Sequence, residues 1–242
     1  MSIAQPKNNK LYWVKDNIIA NEFPGINKAL TEPDGLLAIG GDLSPPRLIN
    51  AYSRGIFPWN NDNQPVLWWS PDPRWVIFPE SVHISRSLKK VLRQNKFSVT
   101  YNKCFEAVIR SCAAMREKNE GTWITGTVME SFLDLHKLGY AHSVECWMNN
   151  DLVGGLYGLA MGKIFFGESM FSSVSDASKT ALVMLAKYLS THDFELIDCQ
   201  IHTRHLESMG AIPIPREQFA MILKRSCNPN IKLALPSYCE QS

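Results

Sequence analysis

Three apolar runs joined by two very short links constrain this chain more than any other stretch. Ser143–Trp147, Leu152–Ala160 and Ile164–Glu168 turn at Asn149-Asn150-Asp151 and at Met161-Gly162-Lys163. Links this short join antiparallel neighbours, because a parallel return needs a crossover of a dozen or more residues. The three runs therefore predict a meander. A long helix over Asp176–Leu189 and a strand over Leu196–Ile201 follow, and a helix between two strands is the usual crossover. The expected fold class is α/β (α+β), with a mixed sheet.

Upstream, helices are predicted over Ser85–Lys96, Lys103–Arg116 and Thr127–Leu138, the last stopped by Gly139, with a short strand at Ser98–Tyr101. Leu206–Met209 predicts one more short helix, ending at Gly210. The first seventy or so residues are rich in turns and hold one helix near Pro46–Arg54. Pro71 and Pro73 suit neither a helix interior nor a central strand. They suggest a small domain over residues 1–72 and a larger one over 73–242. The dense aromatics around them predict that the two parts pack together.

The 242 residues carry a net charge of +2, which excludes a polybasic or polyacidic protein. No apolar run approaches the roughly 20 residues that span a bilayer, and MSIAQPKNNK lacks the apolar core of an export signal. A cytoplasmic protein without membrane contact is expected. The six cysteines, Cys104, Cys112, Cys146, Cys199, Cys227 and Cys239, include no C-x-x-C pair and no nearby histidine pair. No metal is expected. His202 and His205, three apart, read as surface or helix-entry histidines.

Polar residues in apolar runs mark the candidate chemistry. Glu168 closes the run Ile164-Phe165-Phe166-Gly167, and Asp198 and Gln200 interrupt Leu196–Ile201. Strand alternation puts Asp198 and Gln200 on one face, opposite Ile197, Cys199 and Ile201. A carboxylate is costly to bury unless paired, so these groups either line a cleft or join a structural network. Arg86, Lys89, Lys90 and Arg93 recur at i, i+3, i+4 and i+7, opposite Ile84, Leu88 and Val91. No acid interrupts that basic stripe, which suits a phosphate backbone as well as solvent. Five tryptophans, Trp59, Trp68, Trp69, Trp75 and Trp123, are core candidates that could also stack on bases.

The strings GGDLSPPRLINAYSRGIFPW, LWWSPDPRWVIFPESVHISRSLKK, EGTWIT, GESMFS, ASKTAL and LIDCQ occur in this order. From about Leu36 to Pro215 the chain closely resembles the bacterial leucyl/phenylalanyl-tRNA–protein transferases. The resemblance implies a GNAT-like acyltransferase domain behind a small N-terminal α/β domain. It implies transfer of Leu, Phe or sometimes Met from an aminoacyl-tRNA to proteins with N-terminal Arg or Lys, marking them for N-end-rule degradation. It implies a catalytic group of Gln200, Asp198 and Glu168, and an aminoacyl pocket of Leu156, Phe165, Leu182, Leu185 and Ile197. Trp59 and Trp123 fall near the terminal adenosine, and the basic stripe serves tRNA binding. Leu156 stands where the family has Met, and Leu185 where it has Phe. No cofactor is implied, and a monomer is expected.

Two rivals use the same features. An acyl-CoA transferase needs a glycine-rich loop at a helix start to hold pyrophosphate, whereas the stretch from Phe171 to Ser178 has no glycine. A non-catalytic RNA-binding module would use the stripe and the tryptophans, without needing Asp198 and Gln200.

Overall fold

The computed structural model describes residues 10–15, 23–61, 64–117 and 123–235. Its strands form two sheets. The first holds β1 (Tyr12–Val14), β2 (Leu36–Gly40), β3 (Phe57–Pro58) and β4 (Leu67–Trp69), in the order β1-β2-β4-β3, with helix α1 (Pro45–Ser53) between β2 and β3. Pro45 and Pro46 open α1, where a missing N–H costs nothing.

The second sheet starts with β5 (Arg74–Ile77). Then follow α2 (Arg86–Arg93), β6 (Ser98–Tyr101), α3 (Phe105–Glu117), α4 (Gly126–Lys137) and the meander β7 (Ala141–Met148), β8 (Asp151–Met161) and β9 (Ile164–Ser172). The chain continues through α5 (Ala177–Ser190), β10 (Leu196–Gln200), α6 (Arg204–Ser208), β11 (Ile212–Ile214) and α7 (Arg216–Ser226). The strand order is β11-β5-β10-β9-β8-β7-β6. β9 and β10, linked through α5, are its parallel pair, and the other neighbours are antiparallel.

The mixed-sheet α/β architecture and the meander are as expected, but several elements are longer or additional. β9 runs four residues past Glu168, to Ser172. The four strands of the first sheet, β5 (four residues), β11 and α7 have no counterpart among the elements expected from the sequence. Each of those strands has five residues or fewer, too short for alternation to register.

Both faces of the second sheet are covered, so its central strands are apolar on both sides. Along β9, Ile164 and Phe166 enter the core shared by α3, α4 and the first sheet, while Phe165 enters the core under α5. Leu196 and Ile197 of β10 divide in the same way. Leu37, Leu48, Tyr52 and Trp68 belong to the same apolar cluster as Phe105, Phe132 and Tyr157, so the N-terminal sheet and the larger sheet are packed through one core.

Candidate active site

The parallel ladder between β9 and β10 is short. Its register runs Leu196↔Ile164, Ile197↔Phe165 and Asp198↔Phe166, and then stops, although both strands continue. Where pairing ends, each strand is bulged. Opposite β8, Tyr157 pairs with Ser169 and Gly158 with Gly167, leaving Glu168 as the extra residue. Opposite β5, Asp198 pairs with Val76 and Gln200 with Trp75, leaving Cys199. Bulges bend strands and re-aim side chains. The two strand ends part around a cavity of about 410 Å³. It lies at the carboxyl ends of parallel strands, the usual place for sites in open sheets.

Ten of the expected site residues line this cavity: Gln200, Asp198 and Glu168; Leu156, Phe165, Leu182, Leu185 and Ile197; and Trp59 and Trp123. The five apolar residues come from β8, β9, α5 and β10 and are at most 3% exposed. Trp59 is 40% exposed. Its carbonyl accepts from Trp69 Nε1 at 2.7 Å and its ring lies 5.9 Å from that of Trp69, so β4 positions the loop that carries it. Trp123 is half-buried, two residues before Thr125, whose hydroxyl accepts the Val128 N–H at 3.3 Å and caps α4.

Strand alternation alone would set Asp198 and Gln200 side by side, but the bulge changes their relation. Gln200 has φ +58°, in the left-handed region. Asp198 accepts the Gln200 backbone N–H through Oδ1 at 3.0 Å. Both of its oxygens are also bound by Arg74, with Nε at 2.7 Å and Nη2 at 2.6 Å, and neither residue is more than 1% exposed. The buried carboxylate is thus paired, as desolvation requires, and it meets Gln200 through the backbone.

The Gln200 side chain turns to Glu168, with Nε2 to Oε1 at 3.5 Å, and the same oxygen accepts from Tyr52 Oη at 2.7 Å. Tyr52 comes from α1, so the N-terminal part supplies a direct partner to the site. Burial pushes the Glu168 carboxyl up to about 8. The Tyr52 hydrogen bond opposes this, the Asp198 charge adds to it, and the Arg74 and Arg116 charges oppose it. The sequence reading expects a standing negative charge at Glu168. Burial instead favours the neutral carboxyl, because nothing adjacent fully compensates its desolvation.

Arg116, Tyr157 and Thr203 also line the cavity and escaped the sequence reading. Arg116 Nε donates to Ser169 Oγ at 3.0 Å and brings a cation to a wall otherwise set with acids. A single Arg near a helix end carries no pattern that would mark it in advance.

The basic stripe lies elsewhere. Ser85 caps α2 by accepting the Leu88 N–H at 3.2 Å, Leu88 is buried, and Arg86, Lys89, Lys90 and Arg93 are all exposed. None of the four lines the cavity. No salt bridge joins them to an acid among the described residues.

No group of three His, Cys, Asp or Glu side chains among the described residues is arranged to hold a metal ion, and none of their helices is long and apolar enough to cross a membrane.

Residues 76–224 match the family model described as leucyl/phenylalanyl-tRNA protein transferase, and residues 41–72 match the model of that family's N-terminal domain. A leucyl/phenylalanyl-tRNA–protein transferase of Pseudomonas syringae is 56% identical over 215 residues, 89% of this chain and 93% of the relative. The chain belongs to the leucyl/phenylalanyl-tRNA–protein transferase family. Relatives of the same name from Pseudomonas aeruginosa (57% over 204 residues, 84% of this chain and 90% of the relative) and Nitrosospira multiformis (55% over 206 residues, 85% and 89%) agree. Solved structures give weaker likenesses. A functionally unknown conserved protein from Staphylococcus epidermidis has a TM-score of 0.42 at 10% identity, covering 59% of this chain and 57% of its own. An aminoglycoside acetyltransferase from a soil metagenomic sample has 0.36 at 13%, covering 62% and 98%.

Proposed function

We propose that this chain moves Leu, Phe or Met from the 3′ end of an aminoacyl-tRNA to the α-amine of proteins that begin with Arg or Lys. Family membership supports aminoacyl transfer from a tRNA to a protein. The observation that carries the finer reading is the cavity between β9 and β10: apolar in its depth, with Gln200 and Glu168 in its wall and Trp59 and Trp123 in its lining.

The donor ester is already activated. The neutral amine attacks the ester carbonyl carbon, a C–N bond forms, and the C–O bond to the terminal ribose breaks. The proton lost by the amine ends on the departing ribose oxygen. An α-amine with a pKa near 7.7–8.0 is partly neutral near pH 7, so strong base catalysis is not required. Holding amine and carbonyl in contact can supply much of the acceleration. With its Nε2 turned to Glu168 at 3.5 Å, Gln200 keeps its amide oxygen as an acceptor for an N–H of the incoming amine. Its role is to orient the amine.

Glu168 faces the acceptor's cationic side chain. A guanidinium or ammonium beside it favours the ionised carboxyl, so acceptor binding near neutral pH releases a proton and forms a charge-assisted pair. The apolar depth takes the transferred side chain. A methylene more or less in such a pocket is worth about 1–3 kcal/mol, so preference among Leu, Phe and Met is graded. The stripe on α2 serves the tRNA backbone at a distance from the chemistry.

An acyl-CoA donor fits poorly. The Ser178 N–H, in the first turn of α5, donates to Ser172 Oγ at 3.2 Å and is not left for a pyrophosphate. A purely RNA-binding role leaves the Gln200–Glu168–Tyr52 group without a task. The test is incubation of purified protein with Leu- or Phe-charged tRNA and a Lys-headed peptide. A new amide at the peptide's N-terminus supports the reading. Intact peptide with tRNA binding retained refutes it in favour of the RNA-binding role.

A further inference from the structure

We propose that Arg74 is a positioning residue for the reaction, acting through Asp198 on Gln200. The inference rests on the orienting role given to Gln200 above, and it assigns Asp198 a task other than proton transfer.

Arg74 opens β5, directly after the loop that leaves the first sheet. Its guanidinium is engaged on every side. Nε and Nη2 bind the two oxygens of Asp198, and Nη1 donates to the Gly55 carbonyl at 3.1 Å. The rings of Phe57 and Phe219 lie 4.8 and 4.7 Å from its central carbon. It therefore ties the β3 region and α7 to β10 at one buried point.

The carboxylate so held does one further thing: Oδ1 accepts the backbone N–H of Gln200. That bond lies at the bulge, where Gln200 adopts φ +58°. A glutamine rarely rests in the left-handed region, and such backbone persists where surrounding contacts over-determine it. The contacts here are the Arg74 fork on one side of Asp198 and the peptide N–H on the other. Released from them, Gln200 would relax to an extended conformation and its carboxamide would leave Glu168. Asp198, 0% exposed and bound at both oxygens, acts through the position of its neighbour.

Arginine is suited to this task and lysine is not. A planar fork fixes both oxygens and hence the carboxylate plane, whereas an ammonium neutralises the charge without fixing the plane. The proposal thus separates charge from geometry.

The experiment measures single-turnover transfer from Phe-tRNA to a Lys-headed peptide for Arg74→Lys, in the native chain and in a Gln200→Ala background, well below the melting temperature of each variant. Arg74→Lys is expected to lower the rate at least about tenfold in the native chain, with KM for both substrates within about twofold. In the Gln200→Ala background, where no carboxamide remains to be placed, it is expected to change the residual rate by less than about twofold. A second variant, Arg74→Met with Asp198→Leu, removes the buried pair as a whole, an exchange that proteins often tolerate structurally. It should reproduce the loss of rate even if Arg74→Lys folds poorly. Full activity in either variant overturns the proposal. So does an equal loss with and without the Gln200 carboxamide, which would mark Arg74 as structural only. Gln200→Ala with unchanged turnover would instead overturn the role given to Gln200 itself.

Discussion

Strand β9 has two edges that behave differently. Toward β8 it is paired from Ile164 to Ser172, with one bulge at Glu168. Toward β10 it is paired over three residues and then open. Ile164 and Phe166, paired on both edges, stack into a continuous core, while beyond Phe166 the edge left open borders the cavity lined by Glu168 and Gln200. One strand thus supplies a paired wall and the open mouth of a cavity. Ending a ladder early makes a site without adding a loop, and the unpaired strand ends must then find partners elsewhere. At this opening the carboxylates take side-chain partners, Glu168 from Tyr52 of α1 and Asp198 from Arg74 of β5.

Substitutions on the two edges should separate stability from turnover. In the part of β9 paired on both edges, Phe166 is fully buried with its ring 5.3 Å from that of Tyr52. Phe166→Ala should cost about 3–5 kcal/mol in denaturant unfolding, through the cavity it leaves. On the open edge, Gln200→Ala should leave the melting temperature nearly unchanged and lower turnover by about 10²–10³, the usual scale for losing one well-placed polar group in an active site. Affinity for charged tRNA should hold. Equal loss of affinity and turnover would make Gln200 a binding residue and erase the contrast.

The next largest effect is a pH dependence. Burial raises the Glu168 carboxyl to about 8, above the ordinary carboxyl range. Between the ordinary carboxyl pKa and about 8, the folded state therefore binds more protons than the unfolded state, and stability contributed at this position falls as pH rises through that window. Glu168→Gln should flatten the fall of melting temperature between pH 5 and pH 9, roughly the span of that window. For transfer, kcat/KM should rise toward alkaline pH as both the acceptor amine and Glu168 lose protons. The Gln variant should keep only the amine's share of that rise. An unchanged profile would show that Glu168 ionisation plays no part.

The smallest effect belongs to the pocket. Leu156 is 3% exposed and lines the cavity. Leu156→Met conserves volume and should cost less than about 1.5 kcal/mol in stability, while altering the ratio of Leu to Phe transfer by a modest factor in competition assays.

How much of this was legible beforehand follows from the kind of signal each part leaves. The meander was readable because its links are short and its runs are apolar. Asp198, Gln200 and Glu168 stood out because polar groups in apolar strands need a reason. The pocket residues and tryptophans came through the family resemblance, since any of them reads equally well as core. Arg74 was invisible for a physical reason. Its partner lies 124 residues away, and nothing local distinguishes it from a surface arginine. The bulges were invisible too. A strand that gains one residue has the same composition as one that does not, so the backbone bond from Gln200 to Asp198 leaves no mark in the sequence. The strands of the first sheet, two to five residues each, are held by shared burial rather than by propensity.

The most direct measurement is a crystal structure with a non-hydrolysable phenylalanyl-adenosine analogue. The open edge of β9 predicts the phenyl ring among Phe165, Leu182 and Ile197, with the acyl carbon beside the Gln200 carboxamide. Density for the analogue outside the cavity, with the β9–β10 gap still empty, would contradict it.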